Sequence, residues 1–314
     1  MIQMLRRLCA AIALSALALA LLPAVPVGLA AQARPAKAAP AQLQAPAAQP
    51  LRPALWKVAD ADTTIYLFGT VHALPRGLVW FDGAVAQAFA ASGELVMEIP
   101  DVAPDAQARA ALSRGTLRGQ TLRSLMDEDN RAAYEALLAR LGIRPETYDG
   151  LEPWLAAISL AVLPYAQAGY LAQDGAEATL ASAAKAQGKA RHALESVEYQ
   201  IAMFADLPRE AQLRFLDSTV RDFSAASSLI ARMTEVWGKG DTEALGRLLN
   251  AQMTDADLAE TLLYQRNRNW AAWIGQRLER PGTVFVAVGA GHLAGADSVQ
   301  DALERRGIAV QRVQ

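Results

Sequence analysis

Two apolar runs near opposite ends of the chain stop in the same way. LFGTVHALP, Leu67 to Pro75, ends a β-like run in Gly69-Thr70-Val71-His72, and VFVAVGAGHLAG, Val284 to Gly295, ends another in Gly289-Ala290-Gly291-His292. The chain has 3 histidines, so two of them stand at equivalent places just past a buried strand. Open α/β sheets bind ligands at the carboxyl ends of their strands, where the loops diverge and leave a crevice. The echo therefore points to an α/β (mixed α+β) fold. Its central β-sheet is built from N- and C-terminal segments and flanked by helices, with a large helical insertion in the middle.

The rest of the pattern supplies the pieces. Trp56–Ala59 and Thr63–Phe68 are β-like runs around the turn chemistry of Asp60-Ala61-Asp62, which predicts a hairpin. Asp82–Ser92 reads as a helix and Glu94–Glu98 as a short strand ended by Pro100. From Pro104 to about Tyr170 the periodicity is helical. Asp127 can cap a helix that runs to Leu141 with Gly142 just past its end, and Pro164 breaks Glu152–Gln167. Asp174–Gln187 is a helix stopping at Gly188, and Arg191–Glu195 is a strand candidate. Val197–Arg280 is helical, and its longest helix is expected to start near Thr254, with Leu258, Leu262, Arg266, Trp270 and Trp273 at helical spacing. Thr283–Val288 is a strand, Ser298–Arg306 a helix and Ile308–Val313 a last strand.

Residues 1–33 read as a secretory signal peptide: Arg6-Arg7, the apolar run Leu8–Leu22, then Ala31-Gln32-Ala33 as a cleavage site. The alternative is an uncleaved membrane anchor. Residues 34–54 are rich in Pro, Ala and Gln and read as a disordered linker, which leaves 55–314 as the folded domain. The expected location is outside the cytoplasm, periplasmic or secreted, with membrane contact only through an uncleaved signal segment. The sole cysteine, Cys9, lies inside that signal, so the mature chain has no disulfide, no thiolate metal ligand and no thiol nucleophile. A formal net charge of -2 gives no reason to expect nucleic acid as a partner. The G-x-G-x-x-G, Walker A and G-x-S-x-G signatures are missing. Oligomeric state is not legible.

Four polar residues fall at strand ends: His72, Glu98, Glu195 and His292. If the strands are mostly parallel, all four emerge at one edge. Two imidazoles with one or two carboxylates suit zinc, manganese or iron(II) better than calcium. A metal there would acidify water and polarise a carbonyl, and a carboxylate outside its shell could take the proton. Each residue also has a plain structural reading. Either histidine alone could be a loop residue, Glu98 a solvated strand end and Glu195 a helix-capping carboxylate. His192, alternating with Leu194, reads as structural. Arg266-Asn267 is either a surface pair or a crevice group in which arginine holds an oxyanion. Gly69, Gly289 and Gly291 are expected to supply positive φ or close backbone approach.

W-x-V, TTIYLFGTVHALP, VMEIPD, GKARHALESVEYQ, QRNRNWAAWI and VFVAVGAGHLAG, in this order, resemble the TraB/PrgY/GumN family, which includes the Tiki metalloproteases and is distantly related to erythromycin-esterase-like and ChaN-like folds. The likeness runs from about Leu55 to Gln314. The matching positions are Gly69 and His72, Glu98, Glu195 with Gln200, Arg266 with Asn267, and Gly289 with His292. The resemblance implies His72, His292 and Glu98 as ligands of a divalent metal (manganese, cobalt or zinc) and Glu98, Glu195 and Arg266 as catalytic residues, with Glu98 as ligand or base and Arg266 orienting or stabilising substrate. It implies an exported metal-dependent hydrolase, foremost a peptidase, acting on a peptide or small-molecule substrate. The alternatives are a non-catalytic periplasmic protein that sequesters a peptide or metal complex, and a metal-independent esterase with His72 as base and Glu98 its partner. The family's glycine-valine pair after the second histidine box is replaced by Ala296-Asp297-Ser298-Val299, where Ser298 or Asp297 can cap the next helix.

Overall fold

The structure, a computed structural model, describes residues 50–250 and 256–314. The expected signal peptide, nearly all of the expected linker and the helix start near Thr254 lie outside the described residues. The strands are β1 (Leu55–Ala59), β2 (Thr63–Thr70), β3 (Leu74–Pro75), β4 (Glu94–Met97), β5 (Tyr170–Leu171), β6 (Ala190–Ala193), β7 (Gly282–Gly289) and β8 (Gln311–Arg312). The main sheet has the order β6-β4-β7-β2-β1-β8, while β3 and β5 pair by themselves.

β1 and β2 form the expected hairpin, with Ala59 opposite Thr64. Asp60 Oδ1 accepts the N–H groups of Asp62 and Thr63, which closes the turn. β2, β7, β4 and β6 are mutually parallel. Thr70 of β2 is in register with Gly289 of β7, and Met97 of β4 with Ala287 of β7 and Ala193 of β6, so the loops that follow leave one edge together.

Alternation along the strands covers both faces of the sheet. Phe68, Leu95, Phe285 and Ala287 pack on one side with Trp80, Phe89 and Trp237. Ile65, Leu67, Val96, Val284, Val286 and Val288 pack on the other with Trp270 and Ile274. A third core, built on Tyr134, Trp154, Phe204 and Phe215, belongs to the helical middle. Ala73 and Ile99, each one residue past a predicted site residue, are buried in that third core. The helical middle therefore roofs the carboxyl edge of the sheet.

Most local expectations hold. Asp127 accepts from Asn130 N–H, and Gly142 takes φ 70° past the end of the helix Glu128–Leu141. The stretch with Pro164 splits into Pro153–Ala161 and Leu163–Gln167. Ser298, not Asp297, caps the helix Val299–Glu304. Three points differ. The longest helix among the described residues is Arg209–Gly238, because the Ser- and Ala-rich stretch in its middle hides its apolar stripe. The helix carrying Arg266 is Gln265–Leu278, preceded by a π turn at Glu260–Tyr264. The end of the expected linker is docked: Leu51 N–H donates to Val79 O, Arg52 N–H to Gly238 O, and Ala54 is buried. No helix among the described residues is long and apolar enough to cross a membrane.

Candidate functional site

Three of the four strand-end residues, Glu98, Glu195 and His292, meet around Arg266. Glu98, one residue past β4, accepts the N–H of Gly289 on Oε1 at 2.7 Å. Its Oε2 accepts from Arg266 Nη2 at 2.6 Å and from Gln200 Nε2 at 3.0 Å. His292 Nε2 lies 3.9 Å from Glu98 Oε1. His72 is close enough to act electrostatically on both. His72, Glu98, Gln200, Arg266, Asn267 and His292 are all buried.

Arg266 is the hub. The guanidinium has five N–H donors in a fixed fork. Nε donates to Glu195 Oε1 at 2.8 Å and Nη2 to Glu195 Oε2 at 2.9 Å, besides its bond to Glu98. Nη1 donates to Leu262 O at 3.0 Å, a carbonyl of the π turn, and meets His292 Nε2 at 3.0 Å. All five donors are used inside the protein, so Arg266 can hold an oxyanion only by giving one of them up. Glu195 is equally committed: it also accepts from Gln200 Nε2 at 2.9 Å and Trp270 Nε1 at 3.0 Å. The capping role is taken by Ser196, which accepts from Tyr199 N–H. Both side chains are thus fully engaged within the protein, and Trp270 lies under the guanidinium and packs at a tilt against the His292 ring.

Asn267 fixes the state of His292. Its Nδ2 donates to Asp297 O at 2.7 Å, which turns its Oδ1 toward His292 Nδ1 at 2.6 Å. Nδ1 therefore carries the proton and Nε2 the lone pair that faces Arg266. Burial first, then the Arg266 charge, pushes His292 down from 6.5 to about 3. Burial alone would raise Glu98, but Arg266, then His292, His72 and the Gly289 N–H outweigh it and bring the carboxyl down to about 2. Such a carboxylate is a poor base and a good anchor for positive charge.

His72 has a different partner from the one expected. Its Nδ1 lies 2.5 Å from Glu177 Oε1, which also accepts from Thr70 Oγ1 at 2.5 Å. The esterase pairing of His72 with Glu98 is thus replaced by His72 with Glu177. Glu177 sits on the first turn of the helix Ala176–Ala186, whose Ala176 N–H donates to Val71 O at 2.9 Å. Gly175 makes that docking possible, since a Cβ there would stand 2.1 Å from His72 O. Gly69 likewise allows close approach, with Ala290 Cα 3.0 Å from a built Cβ. Gly69, Gly289 and Gly291 do not take positive φ, which corrects that part of the glycine expectation; Asp297, not a glycine, takes φ 57°. His192 lies on the edge strand, half-exposed and 3.8 Å from Glu94.

The predicted metal ligands suit a divalent cation in donor type, and two carboxyl groups, Glu98 and Glu195, face one guanidinium. In the arrangement seen, Arg266 Nη1 lies where a cation on His292 Nε2 would sit. Among the described residues no group of three or more His, Cys, Asp or Glu side chains is set to hold a metal ion. Beside Glu98 and Glu177 a cleft of about 170 Å³ opens, walled by Met97, Ile99, Pro100 and Ala181.

Fold and site together define an α/β domain whose polar centre lies at the carboxyl edge of a mostly parallel sheet, under a helical roof. The chain belongs to the TraB/PrgY/gumN family, whose sequence profile matches residues 54–312. It is 28% identical over 184 residues to the uncharacterized protein YbaP of Escherichia coli (strain K12), covering 59% of this chain and 68% of YbaP. It is 24% identical over 273 residues to an uncharacterized protein of Treponema pallidum (strain Nichols), covering 80% of each. No solved structure matches it.

Proposed function

We propose that this chain is a hydrolase for peptide-like substrates and that it works after export. One observation carries the reading: the strands put His72, Glu98 and His292 at one carboxyl edge of the sheet, where Glu98 lies 3.9 Å from His292 and borders a cleft. Glu177 holds the Nδ1 side of His72, which makes Nε2 its basic nitrogen. His72 would take a proton from water as the oxygen attacks the acyl carbon, then return it to the leaving amine. Glu98 and the neutral His292 keep a fixed field at the reacting centre, and Glu195, Gln200 and Arg266 hold them in place.

A metal-bound form of the proposal would have manganese, cobalt or zinc held by His72, Glu98 and His292, on the condition that Arg266 Nη1 leaves His292 Nε2; His72 Nε2 would then be a ligand and not the base. Such a cation would supply Lewis acidity. The observation that favours a metal-independent variant is Arg266 Nη1 seated on His292 Nε2. Hydrolysis of a mixture of fluorogenic peptides by residues 50–314, with and without added metal and chelator, tests both. Turnover is expected to fall at least about a hundredfold in His72→Ala and in His292→Ala. Unchanged hydrolysis in either variant overturns the reading, and chelator resistance removes only the metal.

A further inference from the structure

Thr116, Thr179, Thr219 and Thr234 each donate a hydroxyl proton to the carbonyl four residues earlier. Thr70 does not. It is fully buried at the end of β2, and its Oγ1 donates at 2.5 Å to Glu177 Oε1, far away in sequence. The same oxygen lies 2.5 Å from His72 Nδ1. Glu177 is fixed at its root, because Ala176 N–H donates to Val71 O at 2.9 Å and Gly175 packs flush against His72 O. The first turn of the helix Ala176–Ala186 is therefore docked on the box itself. That docking leaves open the rotation of the Glu177 carboxylate, a soft torsion in glutamate. Thr70 and His72, two residues apart and so on one side of an extended chain, converge on one oxygen and settle it.

We infer that Thr70 is a positioning residue for His72, the third member of a relay Thr70–Glu177–His72: its hydroxyl holds Glu177 Oε1 where that oxygen accepts the Nδ1 proton of His72. An ionised carboxylate is an acceptor with several lone-pair sites, so one oxygen takes both donors. The group behind an imidazole decides which ring nitrogen is protonated, and the relay serves equally whether His72 Nε2 takes a proton or binds a cation. The second box bears this out by contrast. Its second position is Ala290, which has no hydroxyl, and its histidine is held by Asn267, whose amide is turned by Asp297 O. Each ring thus has a partner, and each partner has its own orienting group. The hydroxyl at the second position of Gly-Thr-Val-His is a requirement of the first box alone. This inference deepens the hydrolase reading, but only the kinetic part of its test rests on that reading.

Thr70→Val removes the hydroxyl and keeps the branched shape, and Thr70→Ser puts the hydroxyl back. The ¹⁵N imidazole spectrum of the full chain is recorded for each at a pH where the His72 ring is neutral. Wild type and Thr70→Ser should show one His72 tautomer, protonated on Nδ1. Thr70→Val should show a second, with the proton on Nε2, because the carboxylate is free to turn away. For peptide hydrolysis, kcat should fall about tenfold in Thr70→Val with KM nearly unchanged, and recover in Thr70→Ser. A threonine that only supports the fold would lower the unfolding midpoint and leave the tautomer alone. The inference is overturned if a folded Thr70→Val keeps the single Nδ1-protonated tautomer, or if Thr70→Ser behaves as Thr70→Val does. If Thr70→Val does not fold, the unsubstituted protein decides: the Thr70 hydroxyl proton should be a slowly exchanging NMR signal, and its absence overturns the relay. A tautomer change without turnover of any peptide would leave the relay and remove the hydrolase, and turnover without a tautomer change would do the reverse.

Discussion

The two Gly-x-x-His boxes look alike in sequence and are built differently. His292 is sealed between Asn267, Arg266 and Trp270, and its proton is fixed on Nδ1 by an amide that is itself held by Asp297. His72 is oriented by a carboxyl group that also borders the cleft. An amide partner with a neighbouring guanidinium keeps His292 neutral, whereas the carboxylate partner of His72 fixes its Nδ1 side. On the proposed reading this is a division of labour: the second box would set the field, and the first would handle the proton.

The comparison can be broken most forcefully at Arg266. Arg266→Met leaves Glu98 and Glu195 buried without their counter-charge and is expected to destabilise the fold by about 3–5 kcal/mol, measured by denaturant unfolding. A loss below about 1 kcal/mol would mean that the cluster is not held by that charge.

Acid titration separates the sealed histidine from the rest. Since His292 sits at about 3 in the folded chain against an ordinary 6.5, the unfolded chain binds a proton that the folded one refuses between those values. Its contribution to stability is complete above about pH 6.5 and is lost as the pH falls toward 3. Glu98 acts in the same direction but lower, from its ordinary 4.5 down to about 2. His292→Gln should therefore flatten the stability curve between about pH 6.5 and 4.5, where Glu98 adds no slope. An unchanged slope in that window would show that His292 is not sealed.

Glu177→Gln sharpens the contrast from the other side. It removes the carboxylate behind His72 but keeps the shape, so peptide turnover should fall about 10- to 100-fold while the unfolding midpoint hardly moves. The smallest effect is expected at Asp297→Gly. Relief of the left-handed backbone should add up to about 1 kcal/mol of stability, little of it offset by the exposed pair with Arg305.

What could be read from the sequence follows the range of the interactions. The hairpin, the Asp127 and Gly142 caps and the strand ends carrying His72, Glu98 and His292 rest on local chemistry. Periodicity placed Arg266 on its helix but could not show that all five of its donors are used within the protein. Glu177 was missed because it reads locally as an ordinary carboxylate in the first turn of a helix, and its meaning comes from His72, far away in sequence. The only local hint is Gly175, the residue that lets that helix end meet the His72 loop.

The most direct test is the ¹⁵N spectrum of the imidazoles, with the signals of the 3 histidines assigned through single His→Gln variants. His292 should show a protonated Nδ1 and an unprotonated Nε2, unchanged from about pH 7 down to about pH 4. A His292 that carries its proton on Nε2, or becomes an imidazolium near pH 6, would contradict the arrangement on which the division between the two boxes depends.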